Sequence, residues 1–167
     1  MIIQKNNHIL REPAKHVTNI NSKEVKELIK NMAEAMFAEP DGIGIAAPQI
    51  GISLRIFLVA EEMIQPKKEI EIKKTEERQR AFLIFINPVL KKKSVKKLKD
   101  TEGCLSIRGI YGEVVRPEKV TIEYYDELGK KRHRGASGLF ARVLQHEMDH
   151  LDGLLFIDKA NKLKHLP

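Results

Sequence analysis

Residues 145–153 read QHEMDHLDG. On a helix, His146 and His150 would fall on one face, one turn apart, with Glu147 turned to a neighbouring side. His-Glu-x-x-His is the pattern of a metal-dependent hydrolase, in which two histidines bind the ion and the glutamate handles a proton. A metal that does chemistry normally takes three protein ligands and keeps one position open. Two are visible here, so the third decides what the stretch means.

Working outward, a helix is expected from about Ser137 to Asp152, with Gly153 as its C-cap. Leu139 and Val143 continue the histidine face, while Phe140, Leu144, Met148 and Leu151 lie on other sides. A helix that is apolar nearly all round is buried. Two histidines and a glutamate inside such a helix need a reason. Glu147 points away from the histidine face, so it suits a general base beside metal-bound water better than a third ligand. Zinc proteases are the best-known owners of the motif, and their third ligands are missing. One group needs His where this chain has Phe156, and another takes a glutamate about twenty or more residues downstream. No glutamate follows Glu147 in this sequence. Asp158 and His165 remain as weaker downstream candidates, and an upstream ligand is the better expectation.

The chain has 167 residues, 42% hydrophobic and 32% charged, enough for one domain with a real core. A single catalytic domain over 1–167 is expected. No apolar run approaches the roughly 20 residues that span a bilayer. The opening MIIQKNNHIL has only a short apolar patch followed by Lys5, unlike a secretory signal. The one cysteine, Cys104, excludes an internal disulfide and fits a reducing compartment. A lone cysteine is by default a small core residue.

Val25, Leu28, Ile29, Met32, Met36 and Phe37 recur at helical spacing after Asn21 and Ser22, and Pro40 stops the run. Asn21 with Glu24 resembles a capping box. LRIFLVA (54–60) and FLIFI (82–86) read as buried strands, and KVTIEYYD alternates as a half-buried strand before the turn DELGKK. The charged segment 61–80 reads as a loop or extended hairpin. Strands in the middle and helices near both ends give an α+β fold. Antiparallel sheets would pack around the buried His-Glu-x-x-His helix, with an amphipathic helix near the N-terminus.

Two further stretches stand upstream: EGCLS at 102–106, and GIGIAAPQ at 42–49. Together with QHEMDH, in this order, they resemble peptide deformylase, the family that removes the formyl group from N-formylmethionine of new proteins. Weaker likeness covers LREPAKHV, INP at 86–88, RPEKVTIEYYDELGK and SGLFARVLQHEMDHLDGLLF.

The resemblance implies a site. Cys104 would join His146 and His150 as metal ligands. The ion would be one ferrous iron per chain, with zinc, nickel or cobalt as substitutes; the Cys-His-His set by itself also suits zinc. Metal-bound water would attack the formyl carbon. The Gln49 side-chain amide and the Leu105 backbone N–H would stabilise the oxyanion, and Glu147 would carry the proton to the leaving amine, releasing formate. The peptide would run along Ile43 and Gly44, its methionine side chain in a pocket lined by Ile43, Leu139 and Val143. Glu102 and Arg116 would pair beneath the Cys104 loop. The implied substrate is the N-formylmethionyl nascent peptide and the implied location is cytoplasmic, of bacterial type, although a mature organelle protein would look the same. A monomer is expected.

Two residues depart from the family pattern near the substrate entrance: Arg108 stands where Pro is common, and Tyr111 where many members carry Arg. The net charge of +7 is partly local, with twelve Lys or Arg against four acids between Lys67 and Lys99. Such a basic surface could make a transient ribosome contact. Two rival readings follow from the same residues: a metalloprotease of unformylated peptides, and a non-enzymatic basic ribosome-associated protein.

Overall fold

A computed structural model describes residues 1–61 and 81–165. The expectation for the charged segment 61–80 therefore falls almost wholly outside the described residues. So do six of the twelve basic residues counted above, between Lys67 and Arg80.

Helix α1 spans Lys23–Phe37. Its N-cap is Ser22, whose hydroxyl accepts from the Val25 N–H at 3.2 Å. The Asn21–Glu24 capping box is thus not formed; the shorter Ser22 side chain sits one residue closer to the orphan amides. Strands β1 (Gly44–Ala46), β2 (Ile56–Ala60), β3 (Phe82–Lys93), β6 (Lys119–Tyr125) and β7 (Lys131–Ser137) form one sheet in that spatial order. Strands β4 (Lys97–Cys104), β5 (Ile107–Pro117) and β8 (Asn161–His165) form a second. Every ladder in both sheets is antiparallel. Helix α2 spans Gly138–Leu151, with Ser137 as N-cap and Gly153 at φ +74° just beyond its end.

The five-stranded sheet is covered on both faces, which explains why β2 is buried at every position. Phe57 and Val59 point to α2, where they meet Phe85, Ile122, Phe140, Leu144 and Leu151. Ile56, Leu58 and Ala60 point the other way, to Val25, Ile29, Met32 and Met36 of α1. Each fully buried large apolar side chain contributes about 1.5–3 kcal/mol relative to exposure. The fold is therefore α+β with antiparallel sheets around the C-terminal-half helix, as expected, and α1 closes the opposite face.

Strands β3 and β4 follow one another through Ser94–Lys96, and β5 and β6 through Glu118. Backbone bonds Ser94 N–H to Lys119 and Glu118 N–H to Lys96 join the two turns. The β4–β5 hairpin is thus an arm that leaves the end of the five-stranded sheet, with Cys104–Ile107 at its tip. A third, smaller core of Leu10, Ile107, Val114, Leu155 and Phe156 packs beneath it.

Candidate metal centre

Helix α2 brings His146 and His150 to one side, with ring centroids 5.0 Å apart. The tip of the arm brings Cys104 to meet them. One ligand atom from each of Cys104, His146 and His150 lies within 4.8 Å of the others. Three ligand atoms gathered this closely, of the types a catalytic metal takes, make a candidate metal site. No other such group of three is found among the described residues. The two weaker candidates go elsewhere: Asp158 accepts from Arg11 and from the Leu155 N–H, and His165 is exposed on β8 opposite Ile110.

The orientation of each side chain has a cause. His146 Nδ1 lies 3.0 Å from Glu102 Oε2, which leaves Nε2 for the cleft. Glu102 is gripped on several sides. Arg116 Nε and Nη2 donate to its two oxygens at 2.6 and 2.8 Å, and Arg142 Nη1 donates at 2.6 Å. Burial alone would raise the Glu102 pKa, but the bonds from Arg116 and His146 hold the carboxyl well below its ordinary range. Arg116 also donates to Asp149 at 2.9 Å. The expected Glu102–Arg116 pairing is therefore present in the geometry, as part of a larger buried network.

His150 Nε2 lies 3.2 Å from Cys104 Sγ, and burial keeps the ring neutral by lowering its pKa. Its Nδ1 is buried without a hydrogen-bond partner among the described residues. Glu147 is 3% exposed, and its Oε2 likewise has no partner there. Burial is the main reason its pKa rises to about 7. A carboxyl poised near neutrality, lining the same cleft as Cys104 and His146, is suited to take and return a proton.

Gln49 is 1% exposed. Its Oε1 accepts from the Ala46 N–H at 2.8 Å, so its amide nitrogen is turned to Cys104 Sγ at 3.5 Å and Ser106 Oγ at 3.3 Å. An NH2 group fixed in this direction can donate to an oxygen bound next to the cysteine.

A cleft of about 460 Å³ opens onto these groups. Ile43, Gly44, Leu139 and Val143 line it, as do Gln49, Leu105, Cys104, His146 and Glu147. His150 lies behind, 1% exposed, and Arg116 is buried in the network. Leu139 is half exposed at the mouth. Gly44 leaves room for Glu147: a Cβ there would stand 2.5 Å from Glu147 Oε1 and 3.1 Å from Val143 Cγ1, so those side chains would have to shift. Among the described residues β1 pairs with β2 alone; on its other edge the Ala46 N–H is taken by Gln49, and Gly44 lines the cleft.

Both departures at the entrance have structural roles. Arg108 donates to Glu39 at 2.6 Å across the mouth, joining the arm to the loop after α1. The Tyr111 ring covers Gly103, where a Cβ would come 2.8 Å from Tyr Cε1, beside the irregular register between Glu102 and Cys104. Sequence reasoning missed Arg142 and Asp149. Arg142 had a signal: a charge in the apolar run GLFARVL, one turn before His146.

A helix-borne pair of histidines with a neighbouring glutamate, beside a cleft in an α+β fold, marks the class of metal-dependent hydrolases. A family model of polypeptide deformylase matches residues 1–166. The chain belongs to this family. It is an enzyme that removes the N-formyl group from newly made peptides in a metal-dependent reaction. It is 38% identical to a peptide deformylase of Picosynechococcus over 152 residues, 91% of this chain and 74% of that protein. The solved peptide deformylase of Plasmodium falciparum, in complex with an inhibitor, superposes with a TM-score of 0.80 at 38% identity, covering 97% of this chain and 90% of that one. The Thermotoga maritima peptide deformylase gives a TM-score of 0.81 at 31% identity, covering 97% of both chains. Neither the protease nor the non-enzymatic reading is favoured by these likenesses.

Proposed function

We propose that Cys104, His146 and His150 hold the metal on which this deformylase depends, that the ion is ferrous iron in the cell, and that residues 1–167 act as one catalytic domain. The convergence of three ligand atoms within 4.8 Å carries the reading. Cysteine with two histidines accepts iron, zinc, nickel or cobalt. A metal held there would supply a water acidic enough to yield a nucleophile near neutral pH.

The chain's own residues do the rest. The formyl-methionyl peptide lies strand-like along Ile43 and Gly44 on the cleft side of β1. Leu139, Val143 and Ile43 take the methionine side chain. The Gln49 amide and the Leu105 backbone N–H donate to the formyl oxygen as it gains charge, and losing one such donor costs about 3–4 kcal/mol of barrier. Glu147 holds the proton taken from water and passes it to the departing amine. Glu102, fixed by Arg116, keeps the His146 ring in its orientation.

Anaerobic purification with metal analysis, followed by formate release from formyl-Met-Ala-Ser, tests the whole reading. Iron-dependent formate release is expected; release that is unaffected when Cys104 is replaced by Ala would overturn the ligand set. An Arg116→Leu variant is expected to lose metal faster, and unchanged metal content there would remove Arg116 from the site.

The enzyme is further proposed to act as a monomer in the cytoplasm and to touch the ribosome transiently through its basic surface. Support comes from Lys92 and Lys93, exposed at the end of β3 with no ion pair among the described residues. Neighbouring Lys91 faces Glu123 at 3.7 Å. Reversing the charge of Lys91, Lys92 and Lys93 is expected to reduce ribosome co-sedimentation; intact co-sedimentation refutes the contact.

A further inference from the structure

The metal ligands come from two bodies that share no ladder. Cys104 sits at the tip of the β4–β5 arm, and both histidines sit on α2 against the five-stranded sheet. The distance between cysteine and histidines therefore depends on how the arm rests on the helix. Apolar contact leaves such a docking free to slide by fractions of an ångström. Directional bonds do not.

One side chain touches the arm at three heights. The Arg142 Nη2 donates to the Leu98 carbonyl near the root at 2.8 Å. Its Nη1 donates to the Val114 carbonyl in mid-arm at 3.0 Å, and to Glu102 Oε1 near the tip at 2.6 Å. Arg142 is 7% exposed and lies on α2 one turn before His146, in line with His146 and His150. Its partner Glu102 is two residues from Cys104 and itself holds His146. The rigid guanidinium fork can make these bonds together, whereas an ammonium concentrates its donors on one atom. Arg142 also forms part of the cleft lining beside Val143.

We infer that Arg142 is a positioning residue of the metal centre: it clamps the arm to α2 and so sets where Cys104 stands relative to the two histidines. This rests on the proposed ligand set. It adds that a residue contributing no ligand sets the cysteine's place, together with the Arg116–Asp149 bond that also joins the arm to α2.

The test uses the full chain loaded with cobalt(II), with two readouts: the thiolate-to-cobalt absorbance per bound ion, and the rate of cobalt loss to a chelator. Wild type is expected to show the thiolate band and slow loss. Arg142→Met, which keeps most of the stem but not the fork, is expected to lose cobalt at least tenfold faster with a weaker band per bound ion. Arg142→Lys is expected to fall between the two. A folded Arg142→Met protein that matches wild type in both readouts overturns the inference while leaving the ligand set intact. If Arg142→Met does not fold, Arg142→Lys decides, and equality with wild type again overturns it. Absence of the thiolate band from wild type would instead overturn the ligand set beneath it.

Discussion

At the scale of single residues, Glu147 and Gly44 form one unit. The glutamate can occupy a dry position only because the facing strand residue has no side chain. Adding a methyl group in Gly44→Ala pushes on Glu147 Oε1 and on Val143, and overpacking of this kind costs about 1–3 kcal/mol. The expected result is a folded, metal-loaded enzyme whose kcat/KM has fallen at least tenfold, measured by formate release alongside urea unfolding. Full activity in that variant would mean that Glu147 can move without consequence. Glu147→Gln removes the proton carrier and preserves the shape. Formate release is expected to drop by about 10²–10⁴-fold. Metal content by elemental analysis should be unchanged, which separates proton transfer from metal binding. The family likeness of EGCLS, and not composition, marks Cys104 as a ligand candidate. A lone cysteine looks like core filling, and here it stands 3.2 Å from His150 and 3.5 Å from the Gln49 amide.

At the scale of elements, the most polar strands were the least visible in sequence. Val120, Ile122 and Tyr124 of β6 alternate with half-exposed neighbours, and that period showed. Strands β4 and β7 carry KLKDTEGC and KRHRGAS, with few apolar residues to mark a face. Pairing with β5 and β6 makes them strands, so tertiary context overrides composition. The β6–β7 hairpin is pinned at its turn by Asp126. Its carboxylate accepts from the Leu128 and Lys130 amides at 3.0 and 2.8 Å and from Arg132 at 2.8 Å. Although desolvation opposes it, these bonds lower the Asp126 pKa from its ordinary 3.8. A depressed carboxyl pKa contributes stability that is present above 3.8 and lost as the pH falls through the folded value. Asp126→Ala is expected to cost at most about 1 kcal/mol at neutral pH, less for solvent exposure. The gap to wild type in urea midpoints should narrow in acid. A gap independent of pH would show that the carboxylate charge plays no part.

At the scale of the whole molecule, the site lies at a junction. Helix α2 is held by apolar packing on one side and by the Glu102, Arg116, Arg142 and Asp149 network on the other. A bound ion would tie the arm to the helix and stabilise the native state by mass action, about 2.7 kcal/mol when free metal is 100-fold above Kd. Chelation is therefore expected to lower Tm by roughly 5–10 °C for a chain of this size. Calorimetry showing equal Tm with and without metal would argue that the ion bridges nothing. The sequence alone carried both helices, the buried strands, the α+β class and the three motifs, because amphipathic period and close-set ligand pairs are local. Ser22 rather than Asn21 as cap, the arm and its second sheet, the clasp between Arg108 and Glu39, and the clamp by Arg142 were decided only in three dimensions. Each depends on partners far apart in the chain or on competition between adjacent side chains. Cys104 shows the division: its type and motif named it as a ligand, but its nearness to two histidines more than forty residues later is the work of the fold.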